Sequence, residues 1–127
     1  MYYNSKTVTV TFDEAIQKVT TELQKEGFGV LTEIDVKATL KKKLDVDFRN
    51  YKILGACNPP FAYKALSMEE NIGVLMPCNV VVQEKENGII SISAVNPMES
   101  MQAVGNAELA AVAGEISAKL KRVIENL

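Results

Sequence analysis

The sequence predicts an α+β fold: a single, mainly antiparallel sheet of about five strands with helices packed on it. Alternating runs typical of strands are separated by runs with helical periodicity. Asn87-Gly88 joins two alternating runs and is a strong hairpin signal, which makes at least that pair of strands antiparallel. One sheet with helices packed on it buries the apolar faces of the strands and of the helices together. The length of the chain, residues 1–127, suits a single domain of this type.

The N-terminal part of the chain predicts a strand followed by a helix. Residues 6–11 alternate between valine and polar side chains, which predicts the first strand. Thr11 and Glu14 then have the spacing of a capping box, in which each side chain satisfies a free amide at the start of a helix. Apolar residues follow at helical spacing as far as Gly27, and glycine commonly ends helices. We therefore expect the first helix between these points.

The middle of the chain predicts three further strands with short helices between them. We expect the second strand over residues 28–36 and the third over residues 51–57. The basic segment 36–44 between them predicts a short helix of one or two turns. A helix that begins at two prolines, where the missing amides would have no partner anyway, should cover residues 59–73. The fourth strand is expected over residues 78–86.

The C-terminal part predicts one strand and the longest helix. Residues 89–95 return from the hairpin turn as the fifth strand. A turn over residues 98–105 leads to Asn106, a suitable helix cap. The last helix then carries an apolar stripe, which we expect to face the sheet: Leu109, Val112, Ile116, Leu120, Val123 and Leu127.

The relative direction of the third and fourth strands decides whether the two cysteines lie close together. Cys57 ends the third strand and Cys78 begins the fourth. A parallel crossover between them would separate the cysteines by a strand length, roughly 20 Å. In the antiparallel arrangement that we favour, both cysteines lie at one end of the sheet. A two-residue loop at Asn87-Gly88 would also place Cys78 opposite Pro97.

The composition excludes several kinds of chemistry. The chain has no histidine, so Ser-His and Cys-His nucleophile pairs are excluded and the usual ligands of zinc and haem are missing. The formal net charge of −2 gives no reason to expect nucleic acid as a partner. No apolar stretch is long enough to cross a membrane, and the N-terminus lacks the order of a secretion signal. We expect a cytoplasmic protein with reduced thiols, no membrane partner and no cofactor.

Three segments of the chain resemble one protein family. They are residues 33–40, 51–59 and 76–82, and their order and spacing resemble those of the domain-of-unknown-function 302 family over nearly the whole chain. The resemblance implies an α+β fold like that of TATA-binding-protein-like domains, with a curved antiparallel sheet. It also implies a tendency to form homodimers. It implies no activity and supplies no catalytic residue.

The antiparallel arrangement predicts a candidate binding site, which we call the cysteine rim. Cys57 precedes a helix start, where amides can stabilise a thiolate, although free cysteine more commonly fills space in a core. Our leading hypothesis is a domain that binds a small molecule or a protein partner at this rim and does not act as an enzyme. The alternative is a thiol-dependent redox, sulfur-carrier or soft-metal-binding protein that uses Cys57 and Cys78. The rim comprises Cys57, Asn58, Met76, Cys78, Asn79, Asn96 and Met98.

The sulfur atoms of the rim could form a soft-metal site, because thiolate and thioether ligands select Cu(I). Its ligands would be Cys57, Cys78, Met76 and Met98. Methionine is more often a flexible filler of cores, so we expect no metal.

A second candidate site is the carboxylate pair Glu33 and Asp35. The two residues are two apart on the second strand and so share a face, where they could act as acid and base or bind a polar ligand. A solvated sheet face or a salt bridge is the commoner role of such a pair.

The last helix also carries a stripe of small residues. Ala110, Gly114 and Ala118 recur every four residues, and small side chains at this interval let another backbone approach closely. Because the apolar stripe already provides a core face, the small residues predict a second contact surface. We therefore expect a homodimer.

Overall fold

Five strands form one sheet in the computed structural model, which describes residues 1–127. Every neighbouring pair of strands is antiparallel, so the predicted antiparallel α+β fold is confirmed. The strands are β1 (Tyr3–Val8), β2 (Gly29–Asp35), β3 (Tyr51–Cys57), β4 (Cys78–Glu84) and β5 (Ile90–Val95). Their order across the sheet is β1-β5-β4-β3-β2, which leaves β1 and β2 as the edges.

Five α-helices lie between and after the strands. No helix is both long and apolar enough to span a bilayer. Short 3₁₀ turns cover residues 72–75, 86–88 and 102–104. The helices are α1 (Phe12–Lys25), α2 (Val36–Leu44), α3 (Pro59–Met68), α4 (Pro97–Ser100) and α5 (Ala107–Glu125).

The core lies between one face of the sheet and the helices α1, α3 and α5. Alternate residues of the strands point into it, and they meet the apolar stripes of the helices in a single cluster. Leu120 of α5 and Leu54 of β3 are among its fully buried members. The strand residues of the cluster are Leu54, Ala56, Cys78, Val80, Val82, Ile90, Ile92 and Ala94.

The helix starts follow the local signals of the sequence. Thr11 caps α1, and the reciprocal contact with Glu14 completes the predicted capping box. Asn58 caps α3 and Asn106 caps α5 through side-chain oxygens that accept backbone amides. These caps are local features, which is why they could be predicted from the sequence.

Two elements, β1 and α3, differ from the predictions by three residues or more at a boundary, and the other strands by at most two. β1 covers Tyr3–Val8 and not residues 6–11, because its ladder with β5 ends at the pair Val8 and Ile90, where the hairpin leaves no further partner. α3 ends at Met68 and does not continue to residue 73. Its C-cap Glu69 has an extended backbone (φ −147°), and residues 72–75 form a separate 3₁₀ turn.

The hairpin between β4 and β5 has a longer loop than predicted. The Lys85 amide donates to the Ile89 carbonyl (2.7 Å), so three residues and not two form the loop. Asn87 and Gly88 both adopt positive φ, as the turn signal requires. The extra residue shifts the register by one. Since Val80 pairs with Ala94, Cys78 lies level with Asn96 and not with Pro97.

Candidate functional site

The two cysteines lie at the same end of the sheet on neighbouring strands. Ala56 pairs with Cys78 across β3 and β4, so Cys57 is one residue beyond that pair. The antiparallel direction of β3 and β4, on which this neighbourhood depends, is confirmed. Both thiols are free.

The cavity at the cysteine rim is very small. Its volume is about 20 Å³, enough for one water molecule. Apolar side chains dominate its wall, and Met76 is among them. The cavity therefore offers no room for an organic ligand. It is lined by Phe28, Ala56, Cys57, Asn58, Phe61, Ala62, Met76, Pro77 and Cys78.

The two thiols have different surroundings. Cys78 belongs to the core, with 8% of its surface exposed. Burial, with a smaller contribution from the nearby Cys57, raises the pKa of the Cys78 thiol to about 11. Cys78 is therefore protonated at neutral pH and is a poor nucleophile or metal ligand. Cys57 is only partly buried, so it is the more accessible of the two thiols.

The asparagines of the rim do not converge on one ligand position. Asn58 is occupied as the α3 cap and donates its Nδ2 to the carbonyl of Glu26 (3.3 Å). The Asn96 Oδ1 accepts from the Ser117 hydroxyl (2.7 Å), so Asn96 ties the end of β5 to α5. Asn79 follows Cys78 and points to the opposite face of the sheet. The first two are structural, and only Asn79 is available to a ligand.

The predicted soft-metal set is not brought together. Met76 lines the same cavity as the cysteines, but Met98 is exposed on α4, where its Sδ covers Gly114. No three residues among the Cys, Asp and Glu side chains are grouped so as to hold a metal ion.

The carboxylates Glu33 and Asp35 lie at the other end of β2 from the cysteine rim. Gly29 pairs with Cys57, whereas Asp35 pairs with Lys52. Glu33 forms an ion pair with the Lys52 ammonium (2.7 Å), and the Asp35 Oδ1 accepts the amide of Ala38 as the cap of α2. Both carboxylates have structural partners, and they do not face a cavity with the cysteines.

A feature that the sequence did not predict is a hollow on the uncovered face of the sheet. It has a volume of about 390 Å³, and no residue of a helix lines it. Its floor is formed by residues of the central strands β4 and β5 that point away from the core. We call it the open-face hollow; it is lined by Tyr2, Tyr3, Ser5, Tyr51, Asn79, Val81, Gln83, Lys85, Ser91, Ser93, Ala94 and Val95.

The sequence does contain a signal for the open-face hollow. Ser91 and Ser93 alternate with the apolar residues of β5, and Asn79 and Gln83, four residues apart, share one face of β4 with Val81. In an antiparallel sheet such alternation commonly means one face in the core and one in solvent. What the alternation does not reveal is that the polar rows of two strands lie side by side, which depends on their register.

The lining of the open-face hollow combines polar groups with aromatic surface. Hydroxyl and amide groups provide donors and acceptors, and three tyrosines provide apolar surface with a polar end. Lys85 is the one charged residue in the lining. Its lining contains serine hydroxyls but no carboxylate, thiol or histidine.

The fold and the site define an α+β domain with helices on one face of its sheet and a polar hollow on the other. The chain belongs to the DUF302 family: residues 4–127 match the model of the family described as "Domain of unknown function DUF302". No curated protein matches the chain. A similar solved structure is the crystal structure of an uncharacterized conserved protein DUF302 from Bacillus stearothermophilus. The two chains are 28% identical with a TM-score of 0.91, over 98% of this chain and 97% of that one.

Proposed function

We propose that this protein is a binding domain that takes a small organic ligand in the open-face hollow and carries out no covalent chemistry. The observation that carries the proposal is the hollow itself. Its volume of about 390 Å³ falls within the roughly 300–1,000 Å³ typical of ligand sites. The cysteine rim offers about 20 Å³, so among the rim residues only Asn79 contributes to the proposed site.

The walls of the hollow are suited to bind without rearrangement. Ser93 and Val81 lie on two interior strands, β5 and β4, where pairing on both sides holds the backbone in the sheet. Ser91 is 3% exposed and therefore holds its position at the bottom of the hollow. A site built on paired strands loses little conformational entropy when a ligand binds.

A neutral fluorescent probe tests the proposed site. We expect phenylnaphthylamine to bind the native protein saturably, and the variant Ser93→Phe, which fills the hollow, to lose at least about 1.4 kcal/mol of binding, a tenfold change in affinity. Ser67→Phe is the matched control, because Ser67 is exposed on α3 and does not line the hollow. Fluorescence titration with near-ultraviolet circular dichroism as a fold check measures both. Equal affinities for the two variants would refute the proposed site.

We also propose that the protein acts as a homodimer in the cytoplasm. Two exposed apolar residues of the edge strand β2 support the dimer: Leu31 is 69% and Ile34 is 50% exposed. An apolar edge strand with unpaired backbone groups favours association with another chain. The small-residue stripe of α5 is less suited, because Met98 covers Gly114 in its middle. Two free thiols at neighbouring positions fit a reducing compartment.

Sedimentation velocity tests the dimer and its surface together. We expect the native protein to sediment as a dimer at micromolar concentration and the variant Ile34→Lys to sediment as a monomer, because it places a charge in the apolar contact. Ala110→Lys, on the small-residue stripe, should remain a dimer. A monomeric native protein would remove the proposal. A dimer that is broken by Ala110→Lys and not by Ile34→Lys would move the contact to α5.

The alternative function is a thiol-dependent one, and the partial exposure of Cys57 favours it. Because Cys78 keeps its proton, a redox, sulfur-carrier or soft-metal function would depend on Cys57 as the acting thiolate. Cys78 could join only after local opening of the core. Rapid modification of Cys57 by an alkylating reagent in the native protein, with a midpoint well below that of free cysteine, would favour this alternative.

A further inference from the structure

We infer that the ligand of the open-face hollow is an organic anion whose charged group is bound by Arg49 and Lys85 at one end of the hollow. The inference rests on the proposed function, since it assigns the ligand class of the same site. Three observations lead to it: the position of Arg49, the absence of ion-pair partners for both cations, and the shape of the hollow.

Arg49 is held in place beside the wall of the hollow. Its guanidinium carbon lies 4.4 Å from the centre of the Phe48 ring and 5.4 Å from that of Tyr51. Its Nε donates to the Gln83 Oε1 (3.0 Å), and both Tyr51 and Gln83 line the hollow. The terminal guanidinium nitrogens have no hydrogen-bond partner in the protein. A guanidinium that is fixed by stacking and by one hydrogen bond is preorganised to bind an anion through its remaining donors.

Neither Arg49 nor Lys85 has an ion-pair partner. The five ion pairs of the structure use other lysines and Arg122. Glu84 and Glu86 border the same area, together with Lys37, and the Glu84 Oε1 accepts from the Asn50 amide (3.0 Å). This end of the hollow therefore has three cationic side chains and only two carboxylates. The excess positive charge at this end favours an anion.

The shape of the hollow indicates an elongated ligand. Tyr3 and Val95 pair at one end, and Gln83 and Ser91 pair near the other. Val95 and Ser91 are four residue steps apart on β5, which corresponds to roughly 13 Å. Tyrosine rings and Val81 provide surface for an apolar or aromatic body along this length, with serine hydroxyls beside it. The anionic group would then lie at the end that contains Tyr51, Arg49 and Lys85.

Two matched probes test the inference. Anilinonaphthalene sulfonate contains the ring system of phenylnaphthylamine with one sulfonate added. We expect the native protein to bind the sulfonate more tightly, and Arg49→Gln to weaken the sulfonate about fivefold while leaving the neutral probe unchanged. Lys121→Gln, on the far surface of α5, removes the same charge and should change neither affinity. Arg49→Lys should restore only part of the lost affinity, because lysine lacks the planar fork.

The outcomes separate this inference from the proposed function. One outcome overturns the inference alone: the two probes bind with equal affinity, both bind more weakly to Ser93→Phe, and neither affinity changes in Arg49→Gln. The hollow would then remain a site for neutral ligands. If neither probe binds, or neither responds to Ser93→Phe, the proposed function fails and the inference with it. A loss of sulfonate affinity in Lys121→Gln equal to that in Arg49→Gln would indicate a general charge effect and would also overturn the inference.

Discussion

Gly55→Ala is expected to lower the free energy of unfolding by about 2 kcal/mol, as overpacking of a tight site usually does. Gly55 lies in the middle of β3 and is buried. A methyl group there would overlap the Thr32 Oγ1 on β2 and would lie 2.8 Å from the Pro77 Cγ. Because Gly55 is within the sheet, the backbone cannot move away without disturbing two ladders. Urea unfolding followed by circular dichroism measures the loss.

Two further variants test whether the loss of stability in Gly55→Ala comes from the close approach of Thr32 and Pro77. Gly29→Ala, in the neighbouring strand β2, adds a methyl group with nothing within 4 Å and should change the stability by less than about 0.5 kcal/mol. Thr32→Ala removes one of the two overlapping groups, so the double variant should recover part of the loss. A Gly55→Ala protein as stable as Gly29→Ala would contradict the close approach of Thr32 and Pro77.

The stability of the protein is expected to fall between about pH 9 and about pH 11, partly because of Cys78. Burial raises the pKa of this thiol to about 11. In this interval the unfolded chain has already lost the proton that the native protein keeps, so the unfolded state binds fewer protons and stability decreases with pH. The contribution should reach about 2 kcal/mol near pH 10.5. Urea titrations near pH 8 and near that value measure it.

Cys78→Val is the reference for this measurement, because valine fills similar space and does not titrate. All other ionisable groups are the same in both proteins, so the difference between their pH slopes isolates the thiol. An alkylating reagent gives an independent check: it should modify Cys57 in the native protein and reach Cys78 only on unfolding. Equal pH slopes, or modification of Cys78 in the native state, would contradict its burial in the core.

Much of the fold is readable from local pattern. β3 has the predicted bounds, and Asn58 and Asn106 cap helices as their positions suggest, because capping needs only a side chain and the next few amides. The hairpin was recognised, but its register was wrong by one residue. Asn87 and Gly88 adopt the expected positive φ, and the loop length was set by pairing further along the strands.

The candidate site was predicted less well. The cysteines do lie together at the rim, since the strand direction was inferred correctly. The composition around them suggested a site, but the space between them is closed by apolar side chains. Gly55 shows the same difficulty. A glycine inside a strand ordinarily weakens the strand, whereas Gly55 leaves room for Thr32 and Pro77, which approach from other parts of the chain.

The amino-acid sequence alone establishes the order of elements, the core stripe of α5 and the absence of histidine chemistry, because each depends on composition or on near neighbours. The tertiary structure decides the features that depend on contacts between residues far apart in the chain. The register of β4 against β5 and β3 gathers serine, asparagine, glutamine and tyrosine side chains into one hollow, and Arg49 reaches it through Gln83 on another strand. Local patterns carry no information on such pairings, since the side chains meet only when the strands align.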